Sequence, residues 1–359
     1  MKNKVLKTVL VCVGVFLAVI VVFVAGFLIF ESVTTLKVKD TETMEIAGNV
    51  LKKVNDSQEI RMLTWNIGYG GLDEKQDCYF DGGTGVDAES LEAVQTNINA
   101  IKSRIHEFDP DIFCLQEIDR HSKRSYHYDE FVSFQDDFKG DTYQNSFACN
   151  FKTGFVPVPL YNPTGNVEAG ISTFSKFQIA SSTRVQLPIP FSWPVSMVNL
   201  KRCLLITRSP VMHSDKELVI INLHLEAYDD GEGKAKQLKL LMGIMQEESE
   251  KGNYVVACGD FNQSFSNIDL SKYPKIDEWV CPVIDVSEYP DFTFCMDDRV
   301  PTCRSLSKTY YDSDKTSHQF YMLDGFIVSH NITIHSIETV DLGFKNTDHN
   351  PVMLSMNLE

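Results

Sequence analysis

With 359 residues, 43% of them hydrophobic, the chain holds enough apolar material for one large domain or two modest ones. Its formal charge of −16 argues against a protein that tracks nucleic acid by neutralising phosphates, and against one held to an anionic lipid surface by charge alone. Nine cysteines without a CxxC pair argue against zinc-ribbon and dithiol-redox classes.

Lys2, Lys4 and Lys7 precede residues 9–30, an apolar run without a charged side chain. As a helix rising about 1.5 Å per residue, that run can cross a hydrocarbon core of roughly 30 Å. It predicts a single-pass signal anchor at 1–30. The basic flank and Glu31 behind the run place the N-terminus in the cytoplasm and the rest of the chain outside it. A cleaved signal peptide is the competing reading, but the run is long for one and ends in no clear small-x-small site. Removing the three lysines leaves −19 on the remainder. Residues 31–57 are polar, with a weak helical patch at 44–54, and read as a linker tethering the domain to the membrane. Residues 58–359 read as one unit.

Within that unit, residues 60–66 alternate and are rich in strand formers, ending at Asn66. From Glu89 the apolar positions Leu91, Val94, Ile98, Ile101 and Ile105 recur at helical spacing until Asp109-Pro110 stops them. Residues 112–116 form another apolar strand, which ends at Glu117. The segment 126–163 carries ten aromatic residues, which either pack a long covering loop or offer a substrate platform. Strands are then expected at 170–174, 179–186, 202–211 and 217–224, with short connections that imply antiparallel pairing. A helix at 234–250 buries Leu238, Leu241 and Met245, and a buried strand at 254–258 breaks at Gly259. Further strands follow at 323–329, 332–340 and 351–356. Cys295 and Cys303 flank an acidic, proline-containing loop and form a candidate disulfide if the domain lies outside the cytoplasm.

Polar residues gather where these apolar runs end: Asn66, Glu117, His224, Asp260 with Asn262, Asp324, and Asp348 with His349. Each has a plain structural explanation as a cap, bend or turn. Together they supply carboxylates for a hard cation and histidines for proton transfer, without a nucleophilic Ser or Cys motif. That is the composition of a divalent-metal phosphoesterase site.

The segments TWN, LQE, NLHL, GDFN, LDGFIVS and TDHNPV occur in that order, and in this the chain resembles the endonuclease/exonuclease/phosphatase family over residues 58–359. The resemblance implies an α/β four-layer sandwich, two packed and mainly antiparallel sheets flanked by helices, here preceded by one transmembrane helix. It implies Mg²⁺ (or Mn²⁺) on Glu117, with Asn66 beside it and Asp348 near the metal. Asp260 and Asn262 match the pair that orients the attacking water and the scissile phosphate. His349 matches the phosphate-contacting histidine, Asp324 its carboxylate partner, and His224 the second histidine. The family leaves open whether Asp260 or the His349–Asp324 pair deprotonates water. Between the motifs, Arg304 and Lys308 either grip a substrate phosphate or are merely exposed cations; Arg304 is the substrate-binding candidate.

The function expected is therefore a membrane-anchored, Mg²⁺-dependent phosphodiesterase or phosphatase acting outside the cytoplasm, with a lipid headgroup or another extracytoplasmic phosphodiester as the candidate substrate. It is expected as a monomer without a protein partner. An extracellular metal-dependent nuclease is the alternative, and a catalytically silent binding module on the same fold is the alternative of another class.

Overall fold

The structure, a computed structural model, describes residues 2–139, 142–229, 231–277, 279–311 and 314–359. Two sheets lie face to face because their strands carry apolar residues on both surfaces. In the first, six strands run in the order Ile332–Thr339, Val352–Leu358, Ile60–Asn66, Ile112–Asp119, Gly165–Ser175 and Gln144–Val156. In the second, seven run in the order Thr41–Thr43, Ser181–Gln186, Cys203–Pro210, Glu217–His224, Tyr254–Asp260, Asp324–Ser329 and Phe292–Cys295.

Each sheet has one parallel pair, Ile60–Asn66 with Ile112–Asp119 and Glu217–His224 with Tyr254–Asp260. In both cases a helix makes the crossover that a parallel pair requires: α2 (Leu91–Phe108) for the first and α4 (Glu232–Glu250) for the second. The remaining pairs are antiparallel, as the short connections predict.

Ile60, Met62, Ile112, Cys114, Ile220, Val256, Phe326 and Leu354 fill the space between the sheets. Outside the six-stranded sheet, Val94, Ile98, Ile101 and Ile105 of α2 pack on Leu63, Trp65, Phe113 and Leu115. Outside the other, Leu238, Leu241, Met242 and Met245 of α4 cover Val219, Ile221, Val255 and Ala257. The order is helix, sheet, sheet, helix, the four-layer sandwich expected. The boundaries of α2 follow from chemistry: the Ser90 hydroxyl accepts from Ala93 N–H at 3.1 Å, and Asp109 closes the helix at φ 47° before Pro110.

The aromatic segment 126–163 is not a loop. It holds α3 (Glu130–Asp137) and the thirteen-residue edge strand Gln144–Val156, with a connection after Val156; residues 140 and 141 lie outside the described residues. Phe131, Phe134, Phe138 and Tyr143 are buried around the stacked pair Phe113–Phe174, so packing accounts for most of its rings.

Two further expectations need correction. First, residues 31–57 are no loose tether, and 44–54 are not helical. α1 (Lys2–Thr34) runs to within seven residues of the strand Thr41–Thr43, which extends the seven-stranded sheet by pairing with Ser181–Gln186. Ala47 then bridges Asn145 and Val54 bridges Val211, with Val54 fully buried in the intersheet core. A few apolar contacts at irregular spacing fix this segment, which is why no period reveals it. Second, Cys295 and Cys303 are both buried free thiols. Cys295 points into the core between the sheets, while Cys303 pairs across a β-bridge with His349.

Candidate active site

The polar residues singled out above meet because the strands end together. Register sets Asp260 opposite Asp324 on one side and opposite His224 on the other. The parallel neighbour comes so close at this point that a Cβ on Gly259 would collide with the Leu223 carbonyl, and Gly259 also takes φ 145°. Only glycine fits there. From the facing sheet, Asn66 and Glu117 leave the ends of the paired strands Ile60–Asn66 and Ile112–Asp119. The segment carrying Asp348 and His349 is held over them by three bonds. The Trp65 indole donates to the His349 carbonyl at 2.9 Å, the Thr347 hydroxyl donates to Asn66 O at 3.1 Å, and Arg304 N–H donates to Asp348 O at 3.0 Å.

His349 is the hub. Its Nδ1 lies 2.7 Å from Asp324 Oδ2, while its Nε2 lies 3.8 Å from both Asp260 Oδ2 and Asp348 Oδ2. His224 Nε2 approaches the same Asp260 oxygen at 3.5 Å from the other side. The Asn66 amide nitrogen sits 3.1 Å from both Glu117 Oε1 and Asp260 Oδ2, and its oxygen accepts from Gly68 N–H. Asn66 thus ties the two carboxylates together. Asn262 lends its backbone N–H to Asp260 Oδ1 at 2.8 Å, and its side-chain amide donates to the Leu225 carbonyl.

These environments drive the two histidines apart. Burial disfavours the charged form of His224, and Arg202 adds to the effect, so its imidazole is held well below the ordinary range and neutral. Burial acts on His349 in the same sense, yet Asp324 and Asp348 overcome it and hold its pKa well above the ordinary range. Asp260 is pushed up to about 6 by burial and by the Asp324 carboxylate. Burial also raises Asp348, with Glu117 contributing. One neutral imidazole, one imidazolium and a carboxylate that titrates near neutrality give the site a ready acid–base pair.

Two backbone conformations escaped the sequence. Glu117 has φ 55° and Asn262 φ 50°, in the left-handed region that side chains other than glycine enter at a cost. The turn at Glu117 brings its carboxylate to Asn66, and the turn at Asn262 brings its backbone N–H to Asp260, a common kind of place for backbone strain to be kept.

The structure corrects the reading of Arg304. Its side chain is buried, and its guanidinium donates to the carbonyls of Leu72, Asp73 and Gln76, at 2.7 Å in the case of Asp73, and to Ser305 O. It clamps the loop behind Asn66 instead of facing substrate. Arg124, unmarked in the sequence, is a cation near Glu117. It pairs in bidentate fashion with buried Asp119 at 2.9 and 3.0 Å and stacks 3.7 Å from the Tyr69 ring centroid, close enough to Glu117 to sense its charge. Thr302 was also missed; its hydroxyl accepts from Leu323 and Asp324 N–H and so positions the Asp324 carboxylate. Nothing in the KRS or PTC sequences marks either role, because burial decides both.

The donor set fits a divalent cation. Two groups of ligand atoms each lie within 4.8 Å of one another: Asp260, Asp324 and His349, and Cys303, Asp348 and His349. Among the described residues Asp324 Oδ1 is buried with no hydrogen-bond partner, and burial first, with neighbouring carboxylates, raises Asp260 and Asp348. Carboxylates with an imidazole, and a thiol in one of the groups, are donors that suit a divalent metal ion.

Comparison with known proteins agrees with this fold. The family model described as Endonuclease/Exonuclease/phosphatase family matches residues 63–349. Among solved structures, an endonuclease/exonuclease/phosphatase from Beutenbergia cavernae DSM 12333 aligns with TM-score 0.55 and 16% identity, covering 84% of this chain and 72% of that one. The human Nocturnin catalytic domain with bound sulfate aligns at 0.53 and 15%, covering 88% and 97%. ANGEL2, described as a 2′,3′-cyclic phosphatase, aligns at 0.54 and 13%, covering 89% and 99%. At such identities the likeness is one of fold. Among curated proteins, none matches significantly.

Proposed function

Because the chain belongs to the endonuclease/exonuclease/phosphatase family, whose members hydrolyse phosphoric esters with divalent metal, we propose that it is a Mg²⁺-dependent phosphodiesterase or phosphatase anchored to a membrane by α1, with its domain outside the cytoplasm. One observation carries the reading: two histidines and the carboxylates of Glu117, Asp260, Asp324 and Asp348 converge from separate strand ends around His349.

Glu117 and Asp348 would hold the cation, with Asn66 beside them steadying the Glu117 carboxylate through its amide N–H. Bound there, the cation would polarise a phosphoryl oxygen and neutralise developing charge. Asp260, titrating near neutrality, accepts a proton from the attacking water, and the Asn262 turn keeps that carboxylate aimed. His349, kept protonated by Asp324, presents Nε2–H to a phosphoryl oxygen. Neutral His224, on the far side of Asp260, offers a hydrogen bond to the leaving oxygen. Arg124 adds positive potential near Glu117.

The test is a substrate panel against the detergent-solubilised full chain after EDTA, with Mg²⁺ or Mn²⁺ restored: bis-p-nitrophenyl phosphate, sphingomyelin, phosphoinositides, RNA and plasmid DNA. Cation-dependent release from at least one ester is expected. Rapid nicking of plasmid in preference to the lipids would select the nuclease reading. Folded protein that turns over none of them would leave a binding module.

A further inference from the structure

Two connections stand out from a domain whose surface is otherwise acidic. Residues 155–167 and 187–200 contain no charged side chain, in a chain with 49 acidic residues. They nevertheless expose large apolar groups: Leu160 is 88% exposed, Tyr161 67%, Trp193 65% and Val195 49%, with Phe155 and Ile189 also exposed. Isolated exposed apolar residues are ordinary, but two uncharged, apolar-tipped loops side by side are not.

Strand register fixes where they lie. Asp119 pairs with Ala169 and Gly165 with Val156, so the connection 157–164 leaves the six-stranded sheet at the same end as Asn66 and Glu117. Leu223 pairs with Leu204 and Cys203 with Gln186, so the connection 187–202 leaves the other sheet beside His224. Both loops flank the mouth of the site.

The apolar helix arrives at the same end. Thr41 pairs with Val185, near the close of its strand, so the chain ahead of Thr41 also lies on the mouth side. Buried Glu31 accepts from the Thr153 hydroxyl at 2.6 Å, and a Cβ on Gly154 would run into Phe30 and Thr34. The Thr35 hydroxyl donates to Met197 O at 2.9 Å, and Leu36 N–H to Lys152 O at 2.8 Å. The helix end is therefore seated without slack between the edge strand Gln144–Val156, which runs into the first loop, and Met197 of the second. Residues 9–30 span about 33 Å as a helix, enough to cross a bilayer. The membrane surface then falls within a turn of Glu31, against the loops.

We propose that the Leu160 and Trp193 loops rest in the membrane interface beside the α1 exit, so that the active site faces the bilayer and takes a phosphoester presented at headgroup level. This rests on the hydrolase reading above. The domain's negative charge means that contact relies on apolar insertion, with Trp193 at the interface, and not on anionic lipid.

The full chain, reconstituted in phosphatidylcholine vesicles with or without acyl-brominated lipid, tests the seat through Trp193, one of three tryptophans. Bromine should quench emission of the native chain, and Trp193→Phe should remove at least about half of that quenching. The double variant Leu160→Asp/Trp193→Asp should cut turnover of a phosphodiester lipid in the vesicles about tenfold, and leave bis-p-nitrophenyl phosphate within about twofold. Undiminished quenching in Trp193→Phe would overturn the seat, as would equal loss on both substrates, or a native dimer that the double variant dissolves. If the native chain hydrolyses neither ester, the hydrolase reading fails and the headgroup claim with it, while quenching still decides whether the loops meet lipid.

Discussion

Asp324→Asn isolates the link between the carboxylate and His349. Asp324 is fully buried, accepts from His349 Nδ1 at 2.7 Å, and among the described residues has its second oxygen unpartnered. Replacing it by the isosteric amide keeps the shape and removes the charge that holds His349 protonated. A charge-assisted hydrogen bond is worth about 2–3 kcal/mol, which corresponds to a rate loss of about 30- to 150-fold at 1.36 kcal/mol per decade. Loss should fall on kcat, since KM reflects substrate contacts that Asp324 does not make. Stability should move little, because the same substitution relieves the like-charge pressure of Asp324 on Asp260. The pH profile supplies a second readout: the limb assigned to Asp260, near 6 in the native chain, should move to lower pH. Steady-state hydrolysis of bis-p-nitrophenyl phosphate between pH 5 and 9, with a melting curve, makes both measurements. A variant with native kcat, or one whose activity loss is matched by unfolding, refutes the assignment.

Three other outcomes are expected. Asp260 binds its proton more tightly when folded than when unfolded, so without metal its contribution to stability declines as pH rises from about 4 through about 6. Mg²⁺ should accordingly raise the melting temperature more at pH 7.5 than at pH 5.5, where protons compete for the oxygens; an equal effect at both would count against cation binding here. Arg304→Met should lower stability by about 3 kcal/mol through loss of the bonds to carbonyls 72, 73 and 76, with KM for a soluble ester unchanged; a raised KM at native stability would restore it as a substrate ligand. Glu248 is held near 2 by its hydrogen bonds to Arg208, Lys251 and Asn253, so the stability it lends is complete above about 4.5 and is lost as pH falls toward 2. Glu248→Gln should remove about 1–2 kcal/mol at pH 7 after allowing for solvent screening, and nothing at pH 2, by urea denaturation.

The parts of this fold legible in sequence are those written in short periods. α2 and the strands Ile60–Asn66 and Tyr254–Asp260 each repeat an apolar pattern, and their polar ends stood out against it. Asn66, Glu117, His224, Asp260, Asp324 and His349 stood out in this way, and the structure brings them together. What escaped is decided by contacts distant in sequence. Arg304 and Arg124 look alike as letters, but one is enclosed by the carbonyls of residues 72–76 and the other lies across Tyr69 near Glu117. The segment 35–57 adheres through a three-residue strand and one buried valine, Val54, too little to leave a period. Cys295 and Cys303 flank a loop closely enough to suggest a bridge, yet each faces a different environment, the core and His349.

That last class of information also sets which way the site looks. A strand register that aligns Asp260 with Asp324 and with His224 necessarily fixes the direction of every connection leaving those sheets. The loops at 157–164 and 187–202, and the chain entering at Thr41, inherit their position from the catalytic geometry. A long tether would have erased the consequence, since the domain could then face any direction above the membrane. Glu31 bonded to Thr153 and Leu36 bonded to Lys152 remove that freedom within two residues of the helix end. The apolar helix α1 and the site are thus coupled through the backbone itself. Loosening the coupling, by inserting a flexible Gly-Ser segment between Leu36 and Lys37, should reduce turnover of a membrane-borne ester without altering that of a soluble one.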